Sequence, residues 1–380
     1  MTTPTFKGAR RISRDVTPTR RAVLASSLAA FGGCLGRVSE VETACPAPVS
    51  TGETVRLGFV GDVMLGRNVN DRWREDPGGV WDGMAGRLDA LDGLLLNLEC
   101  CVSARGERRP GREYYFRAHP GWAIPALERA GTAFASLANN HVLDFGPTAL
   151  TDTLSHLDDA GIPTAGAGRD REAAFEPATF AVGDLEITVV AATDQSPSYA
   201  ARSDAAGSAY APLKPADRLT RNWVGDAVVR ARERDPDLLV VSLHWGPNWV
   251  VEPAEAQRSF ARWLIDRGAD VVHGHSAHVI QGVETYEGRP IIYDAGDFVD
   301  DYVVKDGLHN DRSFLFELVV EGGELAALDL VPVEIQRERV TPAVETAARW
   351  LRDRMRALSA PFETPVERRG DGLRIPLGGC

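Results

Sequence analysis

Five short apolar runs in this chain stop on residues able to ligate a metal or move a proton, and this recurrence constrains the fold more than any bulk property. Residues 55–60 run into Gly61-Asp62, residues 94–98 into Glu99, and residues 134–138 into Asn139-Asn140-His141. Residues 238–243 end at His244, and Val271-Val272 leads into His273-Gly274-His275, with His278 close behind. Short apolar runs bounded by turn residues read as buried strands. Between them lie stretches with helical spacing: residues 120–130, with Trp122, Ile124, Leu127 and Ala130 on one stripe, then 148–160, 216–233 and 254–267. Residues 180–182 and 186–192 read as a hairpin turned at Gly183-Asp184, with a polar loop over 193–213. Further strands are expected at 279–286, 290–293, 314–320 and 325–331. Strands alternating with helices predict α/β layers. In such folds, sites gather at the carboxyl ends of strands.

The two ends of the chain differ from this body. Residues 1–21 are polar and basic and finish on Arg20-Arg21; an apolar run over 22–31 follows, then Gly32-Gly33-Cys34. That run is too short to span a bilayer as a helix. Basic region, short apolar region and small residues form the layout of a secretory signal. The arginine pair resembles a twin-arginine signal and Gly-Gly-Cys resembles a lipobox, although Phe31 stands where a lipobox usually has leucine. Residues 1–34 are therefore expected to export the protein. Lipid on Cys34 would anchor it to the membrane at the extracellular surface, and residues 35–53 would serve as the linker. The body is expected over 54–335. Residues 336–380 are expected to form a helix, at 344–358, and a tail packed on the body.

Acidic residues outnumber basic ones, 54 to 42, and the acid is dispersed along the chain. No basic patch stands out to displace phosphate counterions, so nucleic acid is not an expected partner. Lysine occurs only at Lys7, Lys214 and Lys305. Dispersed acid with scarce lysine fits a halophilic source, and equally a high-GC coding bias. Cys34, Cys45, Cys100, Cys101 and Cys380 contain no C-x-x-C pair, which excludes a zinc ribbon or thioredoxin motif. Cys100 and Cys101 read as small core residues.

Carboxylate, amide and imidazole at the strand ends favour divalent manganese, iron or zinc over calcium. Two such ions sharing a carboxylate would clamp the attacking and leaving oxygens of a phosphoester. The ordered set Gly61-Asp62-Val63-Met64, Asn97-Leu98-Glu99, Ala138-Asn139-Asn140-His141, His244-Trp245-Gly246 and Gly274-His275-Ser276-Ala277-His278 resembles the CapA family. This is a branch of the calcineurin-like metallophosphoesterases. The likeness runs from about residue 55 to about residue 335 and includes Gly166-Ala167-Gly168.

The resemblance implies a layered αββα sandwich of the metallo-dependent phosphatase type and a part in making or exporting poly-γ-glutamate capsule. It implies that Asp62 holds one metal, that Glu99 bridges, that Asn140 and His244 hold the second, and that His275 and His278 complete the pair. His141 would be the general acid, oriented by Asp144, and Arg67 and Arg117 would grip an anionic substrate. Two positions depart from the superfamily pattern. Met64 stands where its Asp-x-His motif has histidine, and two residues rather than one separate His275 from His278. His273, spaced as H-x-H with His275, is an alternative ligand.

Other residues carry blander readings. Asp62 could cap a helix; His156 and His309 read as surface or packing residues; His119 reads as a strand end. Tyr114, Tyr115 and Phe116 read as core. The acidic cluster Asp294, Asp297, Asp300 and Asp301 reads first as a solvated loop, and second as an addition to the site or a cation binder. Two functions remain open. One is a metal-dependent hydrolase of a phosphoester or of a polymer amide. The other is a non-catalytic assembly or anchoring factor that keeps a metal site for binding anionic polymer, beside other capsule-synthesis proteins.

Overall fold

The computed structural model describes residues 53–378. The signal expected over 1–34, Cys34 and most of the linker lie outside the described residues. The strands that matter for the site are β1 (Thr54–Val63), β2 (Gly93–Leu98), β3 (Thr132–Ser136), β4 (Leu185–Thr193), β5 (Leu238–His244), β6 (Val271–His275), β7 (Arg289–Ile292), β8 (Asp297–Val299), β9 (Arg312–Glu321) and β10 (Glu324–Ile335).

They form two large sheets. The first runs from edge strands Glu367–Arg369 and Gly372–Pro376 through β10, β9, β1, β2 and β3 to Thr164–Ala165. The second runs from Val283–Tyr286 through β7, β6, β5 and β4 to Ala178–Val182. Alternation along each strand divides the side chains between two cores. On β2, Leu95 packs between the sheets while Leu94, Leu96 and Leu98 face the helices Pro120–Arg129 and Gly146–Asp159. On β5, Leu238 and Val240 face the first sheet, while Leu239, Val241 and Leu243 meet the helices Asp226–Arg232 and Glu255–Ile265. Covered on both faces, the central strands are apolar throughout, as parallel sheets require. The result is helix, sheet, sheet, helix: the expected αββα sandwich.

Some expected elements differ. Residues 216–233 do not form one helix: a π-helical turn, Thr220–Gly225, precedes Asp226–Arg232. The strand expected at 279–286 is confined to Val283–Tyr286, because the preceding residues form a turn at the site. After the helix Glu345–Ser359, two strands that the sequence did not reveal extend the first sheet along β10. Among the described residues, no helix is long and apolar enough to cross a membrane.

Candidate metal centre

The site lies where strand ends from both sheets converge, and a bulge in β1 creates it. Phe59 pairs with Leu95, but the next paired residues are Asp62 and Asn97, so β1 carries one extra residue. An extra residue re-aims the side chains that follow. It turns Asp62 onto the face of Leu95, Asn97 and Glu99, between the sheets. At the same point β1 exchanges neighbours. Up to Phe59 it pairs antiparallel with β9; from Asp62 it pairs parallel with β8, setting Asp62 opposite Asp297. Gly61 permits this approach, since a Cβ there would lie 1.8 Å from the Gly296 carbonyl oxygen.

Asp62 is fully buried and is the hub of the site. Its Oδ1 accepts from Asn97 Nδ2 at 2.7 Å and lies 3.6 Å from His275 Nδ1 and 3.8 Å from His244 Nδ1. Its Oδ2 accepts from Ser276 N–H at 3.2 Å and lies 3.2 Å from His278 Nδ1. Two groups that could hold a metal result, Asp62 with His244 and His275, and Asp62 with His278 and Asp297. His244 Nδ1 and His275 Nδ1 are 3.0 Å apart. His278 Nδ1 meets Asp297 Oδ1 at 2.9 Å. The turn carrying His278 holds Ser276 at φ 110° and His278 at φ 57°, conformations that L-residues seldom adopt. Ser276 N–H donates to Asp62, and Ala277 N–H donates to Asp294 Oδ2 at 2.7 Å. The wider His275–His278 spacing therefore still returns both rings to Asp62.

Glu99 sits beside this pair, its Oε1 3.5 Å from His244 Nε2 and 3.8 Å from His141 Nε2. Both Glu99 oxygens are buried without a hydrogen-bond partner among the described residues, as is Asp297 Oδ2. Buried carboxylates without partners are costly. Together with two imidazole nitrogens facing each other, they fit a divalent cation well. His141 Nδ1 lies 2.6 Å from Asp144 Oδ2, which also accepts from Phe116 N–H at 2.8 Å, while Tyr199 donates to Asp144 Oδ1 at 3.2 Å.

The electrostatics agree with this arrangement. Burial drives His244 down to about 3 and His275 well below the ordinary histidine value, so both are neutral and ready to ligate. Burial also lowers His141, against the pull of Asp144. Burial disfavours charge on His278, but Asp297 and Asp62 outweigh it and raise that histidine well above the ordinary value. Burial pushes Glu99 well up, helped by the Asp62 charge. Burial would raise Asp62 too, but the His278 hydrogen bond and the surrounding histidines hold it below the carboxylate range.

Of the residues expected at the metals, Asp62, Glu99, His244, His275 and His278 come together. Asp62, not Glu99, is shared by the two groups. Asn140 lines the cavity over the site, and its buried Oδ1 has no hydrogen-bond partner among the described residues. Its neighbour Asn139 is the structural residue, donating to Asn97 Oδ1 and the Leu98 carbonyl and accepting from His141 N–H. His273 packs edge-on to Phe59 in the inter-sheet core, where burial lowers it to about 4. Met64 is buried in the helix-side core; the donor completing the His278 group is Asp297, which arrives on β8.

The acidic cluster is no solvated loop: Asp294, Asp297 and Asp300 are buried. Nor does Asp62 cap a helix. His119 follows the short strand Arg117–Ala118, as expected, and also caps the helix Pro120–Arg129, its Nδ1 accepting from Gly121 N–H at 3.1 Å. Tyr114 is exposed rather than core.

A cavity of about 550 Å³ opens over His141 and Asn140, with Arg67, Arg112, Trp249 and Lys305 in its wall. Arg67 is therefore at the site. Arg117 is not: its guanidinium lies 4.0 Å from the Phe145 ring centroid and donates to the Arg105 carbonyl, facing a different cleft. The arginine at the reacting groups is Arg112, 3.5 Å from Asp144 and 3.3 Å from the His141 ring. No sequence pattern distinguished it from its neighbours.

Residues 56–302 match the family described as bacterial capsule synthesis protein PGA_cap. This chain belongs to that family. A probable polyglutamine synthesis accessory protein of Mycobacterium tuberculosis is 36% identical over 84% of this chain and 94% of its own length. The capsule biosynthesis protein CapA of Bacillus anthracis is 26% identical, over 80% of this chain and 73% of its own. The PGA biosynthesis protein CapA of Bacillus subtilis is 27% identical, over 77% and 74%. The match spans all five strand ends and every residue of the two donor groups.

Proposed function

We propose that this protein acts in poly-γ-glutamate capsule synthesis or export at the cell surface, as a metal-dependent hydrolase of a phosphoester or of an amide in the anionic polymer. The observation that carries the reading is Asp62, one buried carboxylate shared by two donor groups, with the His141–Asp144 pair alongside. Membership of the capsule family supports the setting. The basic start, short apolar run and Cys34 support export and lipid anchoring.

Divalent manganese, iron or zinc bound to Asp62, His244, His275, His278, Asp297 and Glu99 would supply a hydroxide nucleophile at neutral pH and polarise the reacting group. The chain's own residues handle the proton and the substrate. Asp144 holds the Nδ1 proton of His141, which leaves Nε2 turned toward Glu99 and the cavity. That nitrogen can take the proton given up by the attacking water and return it to the leaving oxygen or nitrogen. The Asp144 charge stabilises the protonated ring in between. Arg67, Arg112 and Lys305 give the cavity the charge an anionic substrate requires.

The test pairs metal content with turnover. Wild-type protein reconstituted with manganese, iron or zinc is compared with His141→Ala on γ-linked glutamate chains and on a nitrophenyl phosphodiester. The variant should keep its metal and lose about 10²–10⁴-fold in turnover, least where nitrophenolate leaves without a proton. Equal turnover with metal retained would hand the role to the assembly reading. A wild type that takes up no metal would end both.

A further inference from the structure

A second cleft adjoins the metal cavity, and nothing in the reaction at Asp62 uses it. It encloses about 340 Å³ and is walled by Arg67, Arg74, Arg108 and Arg117, with Asp71 as its one carboxylate among the lining residues. The charge is local. Residues 103–119 hold five arginines against two glutamates in a chain whose net charge is −12.

The segment is arranged so that its arginines serve two sides. Arg109 and Arg112 turn toward the Ser196–Tyr199 region: Arg109 stacks on Tyr199 at 4.7 Å and donates to the Ser198 carbonyl, and Arg112 donates to Ser196 Oγ. Arg108 and Arg117 turn the other way, onto the rings of Tyr115 and Phe145, and neither has a carboxylate partner among the described residues. Guanidinium planes laid on aromatic faces stay fixed. Arg117 Nη1 is already held by the Arg105 and Gly106 carbonyls, so an anion would meet its remaining N–H groups and those of Arg108.

Arg67 joins the two spaces, since it lines both. It pairs with Asp301 through Nε at 3.2 Å, while Nη1 is buried with no partner. It also holds φ at 53°, a strained conformation for a residue with a Cβ.

We infer that this cleft is a second anion subsite, holding carboxylate or phosphate groups of a chain that continues past the unit at the metal cavity. The protein then takes an extended polyanion rather than a single small ester. This rests on the metal cavity being the place of the reacting unit, but the cleft can be tested by binding alone.

Fluorescently labelled γ-linked glutamate dimer and decamer, and a labelled polyphosphate of matching length, are titrated against the full protein with and without added manganese. The decamer or the polyphosphate should bind about tenfold or more tightly than the dimer, and increasingly so at low salt. Whichever of the two long chains binds more tightly identifies the anion. The double substitution Arg74→Gln with Arg108→Gln should weaken the long chain about tenfold and leave the dimer unchanged. Arg108→Lys alone, which keeps charge but loses the flat guanidinium, should recover only part of the length preference. Equal affinity for dimer and decamer in the wild type would overturn the inference, as would equal loss for both in the double variant. Length-dependent binding without any turnover would uphold the subsite and reject the hydrolase.

Discussion

Replacing Gly61 with alanine would test whether the strand exchange at β1 builds the site. The new Cβ would lie 1.8 Å from the Gly296 carbonyl oxygen and 3.0 Å from its carbon, both backbone atoms that no rotamer change can move. The β1 and β8 backbones must part. Overpacking of this kind costs about 1–3 kcal/mol. The Asp62 N–H to Gly296 carbonyl bond of 3.0 Å would be stretched or lost, adding about 0.5–1.5 kcal/mol. A total of about 2–4 kcal/mol should lower the melting temperature by several degrees. The same movement separates Asp62 from Asp297, so bound metal should fall with stability. Gly86→Ala is the control: it lies in the short helix Ala85–Leu88 with nothing within 4 Å of an added Cβ. It should be neutral or gain about 0.5–1 kcal/mol. Scanning calorimetry and elemental analysis of both variants decide the matter. Wild-type stability and metal content in Gly61→Ala would refute the reasoning.

Three other outcomes are expected. Burial raises Glu99, and Asp297 and Asp62 raise His278, so each holds its proton more tightly than usual; metal uptake should expel protons, and affinity should weaken as pH falls. Titration calorimetry in two buffers of different ionisation enthalpy should give different apparent heats; identical heats would mean that neither group ligates. Changing Arg20 and Arg21 to lysine should keep the protein inside the cell, and Cys34→Ser should release it from the membrane fraction; unchanged surface delivery or anchoring would count against the export reading.

The strand ends were legible because buried parallel strands are short apolar runs, and a charged residue at the end of one contrasts sharply with it. Asp62, Glu99, His141, His244, His275 and His278 emerged this way. The acidic cluster did not. Asp294, Asp297 and Asp300 carry no periodicity, and in an acidic chain they resemble solvated loop. Their burial comes from β8 pairing with β1, a contact between distant parts of the sequence. The role of Asn139 against Asn140 depends on the turn geometry at the end of β3, which two identical neighbours cannot disclose. Arg112 and Arg117 lie in one arginine-rich segment, and only the path of that segment past Tyr199 and Phe145 separates them. The π-helical turn at Thr220–Gly225 keeps ordinary helical spacing on both sides, so periodicity alone read it as continuous.

The exchange of partners along β1 also has a temporal side. Asp62 is made early, yet Ser276, which fastens its carboxylate, lies 214 residues further on, and β8 comes later still. At synthesis rates of about 5–20 residues per second, the carboxylate waits roughly ten seconds or more for its neighbours. Until then Asp62, Glu99 and His141 are scattered donors on an unfinished chain, with no fixed geometry to favour one cation over another. Selection of the ion therefore belongs to the compartment in which the last third of the chain docks. On the export proposal, docking before export would load the site from the metal inventory of the cytoplasm, and docking after it from the surroundings of the cell.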